Sequence, residues 1–143
     1  MFKLMKFVQD NGAEIRIQGY DPGEIRLYLP RALAGDIPID AETGLATLTR
    51  SCLLARDFID PDWTPANLAA LAPTHLDALT ARQPDLVLLG TGGRLIFPPA
   101  ELLVPLHQAG IGVEVMDTPA ACRTFNILAS EDRNVVAALF MPE

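Results

Sequence analysis

Apolar and polar positions along this chain change their period near Asp60, and that change predicts most of the fold. Before it the alternation is two-residue. Ala13-Glu14-Ile15-Arg16-Ile17-Gln18 and Glu24-Ile25-Arg26-Leu27-Tyr28-Leu29 each set apolar side chains on one face. Residues 20–23 between them predict a type I turn, so the two runs form a hairpin. Asp36-Ile37-Pro38-Ile39-Asp40 predicts a short edge strand, because Pro38 has no N–H to give a ladder. Glu42-Thr43-Gly44 is a turn, and residues 45–56 alternate enough for one further strand. Up to four antiparallel strands therefore precede Asp60.

After Asp60 the helical period appears. Thr64 and Pro65 have the chemistry of an N-cap and a first helical position. Thr74 caps a second helical piece reaching Arg82, with Asp77 at capping-box spacing, Leu76 and Leu79 on its apolar face, and Pro84 as its stop. Asp85-Leu86-Val87-Leu88-Leu89-Gly90 has almost no polar interruption, as expected of a parallel strand covered on both faces. Residues 99–109 form a helix with Leu102, Leu103 and Leu106 inward. Pro105 within it predicts a kink or a late start, and Gly110 a left-handed cap. Residues 113–116 are the next strand. Thr118-Pro119 opens the last helix, where Ala121, Phe125 and Leu128 repeat at i, i+4 and i+7, and residues 135–140 close the sheet. The expected fold is one α/β (α+β) domain over residues 1–143. An antiparallel β-meander, about residues 1–60, packs on a βαβαβ half, about residues 61–143.

Half of the 143 residues are hydrophobic and 20% are charged, as in a globular domain. A net charge of -7, a pI near 4.7 and singly scattered basic residues exclude a nucleic-acid partner. No run approaches the roughly 18 apolar residues of a membrane span. Met1 to Val8 has a signal-like mixture of lysine and apolar residues, but Asp10 and Asn11 end it too early. Cys52 and Cys122 belong to no CxxC pair, so free thiols and a cytoplasmic location are expected.

The loops that follow two strands carry the candidate chemistry. Gly90, Thr91 and Gly92 offer backbone N–H groups, the helix opening at Thr118 offers its positive end, and Arg94 and Arg123 add charge. A small molecule or anion bound in this crevice, by an enzyme or a ligand sensor, is one reading. The other is a plain tight turn, since neither a dinucleotide nor a phosphate-loop fingerprint is present and Asp117 repels an anion. Cys122 stands early in the helix, but the only histidines, His75 and His107, lie on other helices and give it no base. Arg123 and Asn126, with Ser130 a turn later, make a polar stripe that is either solvated or a hydrogen-bonding surface. Trp63 beside Phe58 has the character of a core anchor. No spacing calls for a metal or a cofactor, and no two carboxylates form an acid–base pair.

Gly90-Thr91-Gly92, then Gly110-Ile111-Gly112-Val113-Glu114-Val115, then Asp117-Thr118-Pro119-Ala120-Ala121-Cys122-Arg123-Thr124-Phe125-Asn126-Ile127-Leu128 together resemble the family of mitochondrial complex I assembly factor 3. That family also contains an adipogenesis-associated protein and many Mth-type domains of unknown function. The resemblance covers roughly residues 85–142, with looser agreement at Gly19-Tyr20 and Ser51-Cys52-Leu53-Leu54. It implies layers of sheet, sheet and helix, and a non-enzymatic protein-interaction module with no catalytic residues. The implied partners are respiratory complex subunits or membrane-insertion factors. Without an Arg-rich presequence the chain resembles a bacterial cytoplasmic relative. Asp132 stands where the family's usual turn glycine would be, a substitution that turn geometry tolerates. Edge strands of the meander allow a homo-oligomer, against which Pro38 and nearby charges act as protection.

Overall fold

The computed structural model describes residues 14–143, so the signal-like segment and Ala13 at the head of the first predicted strand lie outside it. Five strands form the central sheet, in the order β5-β4-β8-β6-β7. They are β4 (Cys52–Ala55), β5 (Phe58–Asp60), β6 (Leu86–Gly90), β7 (Gly112–Met116) and β8 (Val135–Leu139). β6 is parallel to both β7 and β8, whereas β4 runs antiparallel to β5 and β8. A smaller antiparallel sheet is made of β1 (Arg16–Asp21), β2 (Glu24–Tyr28) and β3 (Leu45–Leu48). The protein is thus an α+β fold of two sheets with helices.

The central sheet is apolar on both faces, and β8 displays the alternation most simply. Val135, Ala137 and Leu139 join a core with the small sheet and the helix Thr118–Ser130. Val136, Ala138 and Phe140 join the opposite core with Trp63, Leu76, Leu79, Leu103 and Leu106. Cys52 and Leu54 share the first core, and Leu53 and Ala55 the second. An uninterrupted apolar run is what a strand between two cores requires.

The first half departs from expectation where one strand was to cover residues 45–56. That segment bends at Arg50 and divides into β3 and β4, which belong to different sheets. β3 buries one face, whereas all four residues of β4 are buried, so only the second part suits the central sheet. The hairpin turn also sits one residue later than predicted. Asp21 pairs with Glu24, and Gly23 at the third turn position has φ 81°, the positive value that type II rather than type I requires. Residues 36–40 join no ladder. They follow a single helical turn, α1 (Arg31–Ala34), and the Asp40 carboxylate accepts from the Glu42 and Thr43 amides at 2.8 and 2.9 Å, turning the chain instead.

Helix starts were displaced for similar local reasons. No helix opens at Thr64-Pro65; the chain bends without helical structure as far as Asn67, whose side chain caps a 3-10 turn at Leu68–Ala70. Thr74 is not a cap, because Pro73 forces Ala72 into an extended conformation and makes it the capping position. A 3-10 turn (Pro73–Leu76) then leads into α2 (Asp77–Thr80), with Leu76 and Leu79 buried as expected. Pro105 produces the late start: Ala100–Leu103 is 3-10, and α3 (Val104–Gln108) begins with the proline in its first turn, where a missing N–H costs nothing. Gly110 caps it at φ 78°, and Asp132 adopts φ 64° in the turn before β8.

The long helix α4 (Thr118–Ser130) buries Ala121 and Phe125 against the central sheet. Its polar stripe is not simply solvated. Asn126 accepts from the Ile17 N–H at 2.9 Å and donates to the Ile17 carbonyl at 2.8 Å. Its amide acts as a one-residue strand beside the edge of β1, next to a register shift between Ile17 and Gly19. Arg123 donates to the Tyr20 hydroxyl at 3.0 Å, tying the same helix to the same strand. The hydrogen-bonding surface therefore serves the protein's own edge strand. Asn126→Ala orphans both Ile17 groups and is expected to destabilise the fold by about 1–3 kcal/mol in urea denaturation. A loss below about 0.5 kcal/mol would show that water replaces the amide freely.

Candidate functional site

Adjacent strands β6 and β7 send the chain to opposite faces of the sheet, the first toward α3 and the second into α4. Such a switch point normally leaves a crevice at the carboxyl ends of the strands. Here the protein's own groups fill it. The Gly92 N–H donates to Thr118 Oγ1 at 2.8 Å, and the Thr118 N–H donates to the Gly92 carbonyl at 2.8 Å. Thr118 Oγ1 in turn donates to the Phe140 carbonyl at 2.6 Å. The Phe140 N–H returns to the Gly90 carbonyl at 3.0 Å, and the Thr91 N–H reaches the Met116 carbonyl at 2.9 Å.

Gly90 is required for this closeness. A Cβ there would lie 2.9 Å from both Leu139 Cδ2 and Thr118 Oγ1, and 3.2 Å from Ala121 Cβ. Gly92 has φ 108°, which only glycine adopts readily. The Thr91 hydroxyl completes the loop, donating to the Arg94 carbonyl at 2.6 Å and accepting from the Ile96 N–H at 3.2 Å. At the start of α4, Asp117 accepts from the Ala120 N–H at 2.8 Å, so its carboxylate already meets the positive end of the helix.

Cys122 is buried, and that burial pushes its thiol up to about 12 despite the lowering effect of Arg123. Cys52, in the same core, is also raised by burial. Both are free, and neither is poised as a thiolate at neutral pH. His75 accepts from the Ala72 N–H at 2.9 Å and thereby shapes the turn before α2. Among the described residues no group of three His, Cys, Asp or Glu side chains could hold a metal ion.

Open space lies on the other side of the loop. A cleft of about 900 Å³ is lined by Thr91, Gly92 and Arg94, and faces Arg50, Ser51 and Trp63. Of the crevice residues singled out from sequence, Thr91, Gly92 and Arg94 reach the cleft. Asp117, Thr118, Cys122, Arg123 and Asn126 lie along α4, and Gly90 is packed beneath it. Arg50 pairs with Asp62 at the rim, whereas Arg94 enters no ion pair among the described residues. Trp63 is the core anchor expected of it, 5.4 Å from the Phe140 ring and donating to the His75 carbonyl at 3.2 Å, with one edge toward the cleft.

Sequence reasoning missed the segment after Arg94. Leu95, Ile96 and Phe97 follow the glycine loop outside any regular element and stand 48, 46 and 71% exposed. A three-residue apolar run between Arg94 and Pro98-Pro99 was the available signal, but it has no period to mark it as core or surface. Ile96 and Phe97 border an apolar groove of about 540 Å³.

Two packed sheets, a closed switch point and an exposed apolar loop define an α+β domain. The chain belongs to the DUF498/DUF598 family of proteins of unknown function, whose model matches residues 17–140. It is 52% identical over 60 residues to the NADH dehydrogenase (ubiquinone) 1 alpha subcomplex assembly factor 3 of Danio rerio, a match covering 42% of this chain and 34% of that protein. It is 36% identical over 69 residues to the 13 kDa major membrane protein of Francisella tularensis, covering 48% of this chain and 56% of that one. The matched stretches thus span between a third and somewhat over half of these relatives' lengths. A solved structure from Bordetella parapertussis is 28% identical, with a TM-score of 0.74, and covers 92% of this chain and 98% of the other. No helix among the described residues is long and apolar enough to cross a membrane.

The closed switch point makes a specific expectation for Thr118, which is fully buried. Thr118→Val keeps the shape but orphans the Gly92 N–H and the Phe140 carbonyl, and should cost about 2–4 kcal/mol in denaturant unfolding. Thr118→Ser retains the hydroxyl and should cost about 1 kcal/mol. Equal losses for the two variants would mean that the hydroxyl contributes nothing.

Proposed function

We propose that this chain is a non-enzymatic protein-interaction module that assists assembly of the respiratory NADH:quinone oxidoreductase. The exposed apolar run Leu95, Ile96 and Phe97 carries the reading, because adjacent large apolar side chains on one loop form the kind of surface patch that often serves an interaction. The similarity to assembly factor 3 supports a respiratory complex subunit as the partner, and a factor that inserts one into the membrane is part of the same proposal. Buried thiols and a switch point filled by hydrogen bonds of the Thr118 hydroxyl support a binding role over a catalytic one.

A second reading keeps a small molecule or anion at the strand ends, now in the 900 Å³ cleft. It is favoured by Arg94, which enters no ion pair among the described residues, beside Thr91 and Gly92, and opposed by Asp62 and Glu143 on the same walls. Deleting the gene in its native host separates the two. The assembly reading expects membrane NADH:quinone oxidoreductase to fall at least several-fold in activity and native-gel abundance, with recovery on re-expression of the full chain. Normal complex in the deletion strain, together with thermal stabilisation of the purified protein by phosphate or nucleotides that Arg94→Ala abolishes, overturns it in favour of the second.

A further inference from the structure

The apolar groove beside Phe97 has one wall from the turn at Leu68 and Leu71 and the other from Ile96, Phe97 and Leu102. Among the described residues its only charged lining group is Glu101, and none of their lining side chains is a cation or a hydrogen-bond donor. Pro73, Pro98 and Pro99 in the same walls have no backbone N–H to offer. The side chains that meet whatever settles there are, among the described residues, apolar except for one carboxylate. That complement fits an apolar body carrying a positive charge and penalises an acidic one.

A second copy of the chain fits less well. Leu95, Ile96 and Phe97 together expose roughly 300 Å². Two copies joined through these side chains would bury roughly 600 Å², half or less of what a stable interface needs. A bilayer would engage a convex tip, whereas this surface is a groove with Phe97 forming one bank.

We propose that the groove between residues 68–73 and 96–102 is the docking site for an apolar, positively charged segment of a partner protein, with Phe97 as its anchor and Glu101 as the group that selects the charge. The inference rests on the interaction-module reading above and states the chemistry of its partner.

The test uses the full chain and two labelled peptides, one of leucines and lysines in a 2:1 ratio and one with glutamates in place of the lysines. Fluorescence anisotropy should show the lysine peptide binding at least about tenfold tighter than the glutamate peptide. Phe97→Ser should weaken the lysine peptide about tenfold. Glu101→Gln should weaken it about threefold while leaving the glutamate peptide unchanged or improved. Both positions are exposed, so circular dichroism should match the parent. Failure to bind the lysine peptide, or equal binding of both peptides, overturns the proposal. So does Phe97-dependent co-sedimentation with neutral phosphatidylcholine vesicles without peptide binding, or a Phe97-dependent dimer in sedimentation velocity. A complex I defect on gene deletion without peptide binding refutes the groove and leaves the assembly role standing. Peptide binding with an intact complex does the reverse.

Discussion

The Thr118 hydroxyl accepts from the Gly92 N–H and donates to the Phe140 carbonyl, and these two buried bonds hold three parts of the chain at one point. The loop after β6, the end of β8 and the first turn of α4 all converge there. Gly90 lets them approach, since any side chain would strike Leu139, Thr118 and Ala121. With α4 fixed at that end, Phe125 is carried into the core, and Asn126 is brought against β1 to satisfy Ile17. The small sheet is therefore docked on the central one through a helix whose start is fixed by one hydroxyl.

That constraint also decides where a ligand or partner can act. Burying polar groups demands partners for them, and here the protein supplies its own at the place where an open α/β sheet usually receives a ligand. Asp117 occupies the positive end of the helix, and the thiol of Cys122 is held in its protonated form by burial. What remains open lies across the glycine loop: a polar cleft on one side of Ile96 and an apolar groove on the other. The same loop that closes the switch point projects Leu95, Ile96 and Phe97 outward.

Much of the second half was legible because its signals are local and strong. The apolar run of residues 86–90, the Pro105 start, the Gly110 cap and the Thr118 helix each follow from the chemistry of neighbouring residues. In the first half, β3 and β4 share one alternating segment, and only long-range pairing assigns them to different sheets. The role of Asn126 was hidden for the same reason, since its partner lies 109 residues earlier in the chain. Thr91, Gly92 and Arg94 line the cleft that follows β6, but its opposite wall is built from Arg50, Ser51 and Trp63, which no local spacing connects to them. Exposed apolar residues such as Phe97 have no periodicity to betray them.

Native-state amide hydrogen exchange on the full chain tests the closed switch point most directly. If Thr118 locks the loop, the Gly92 and Thr118 amides should exchange only through global unfolding, with protection equal to that of the central β6 and β8 amides. Exchange of those two amides orders of magnitude faster than the sheet, through a local opening that leaves β6 and β8 protected, would contradict the account and return the strand ends to consideration as a ligand site.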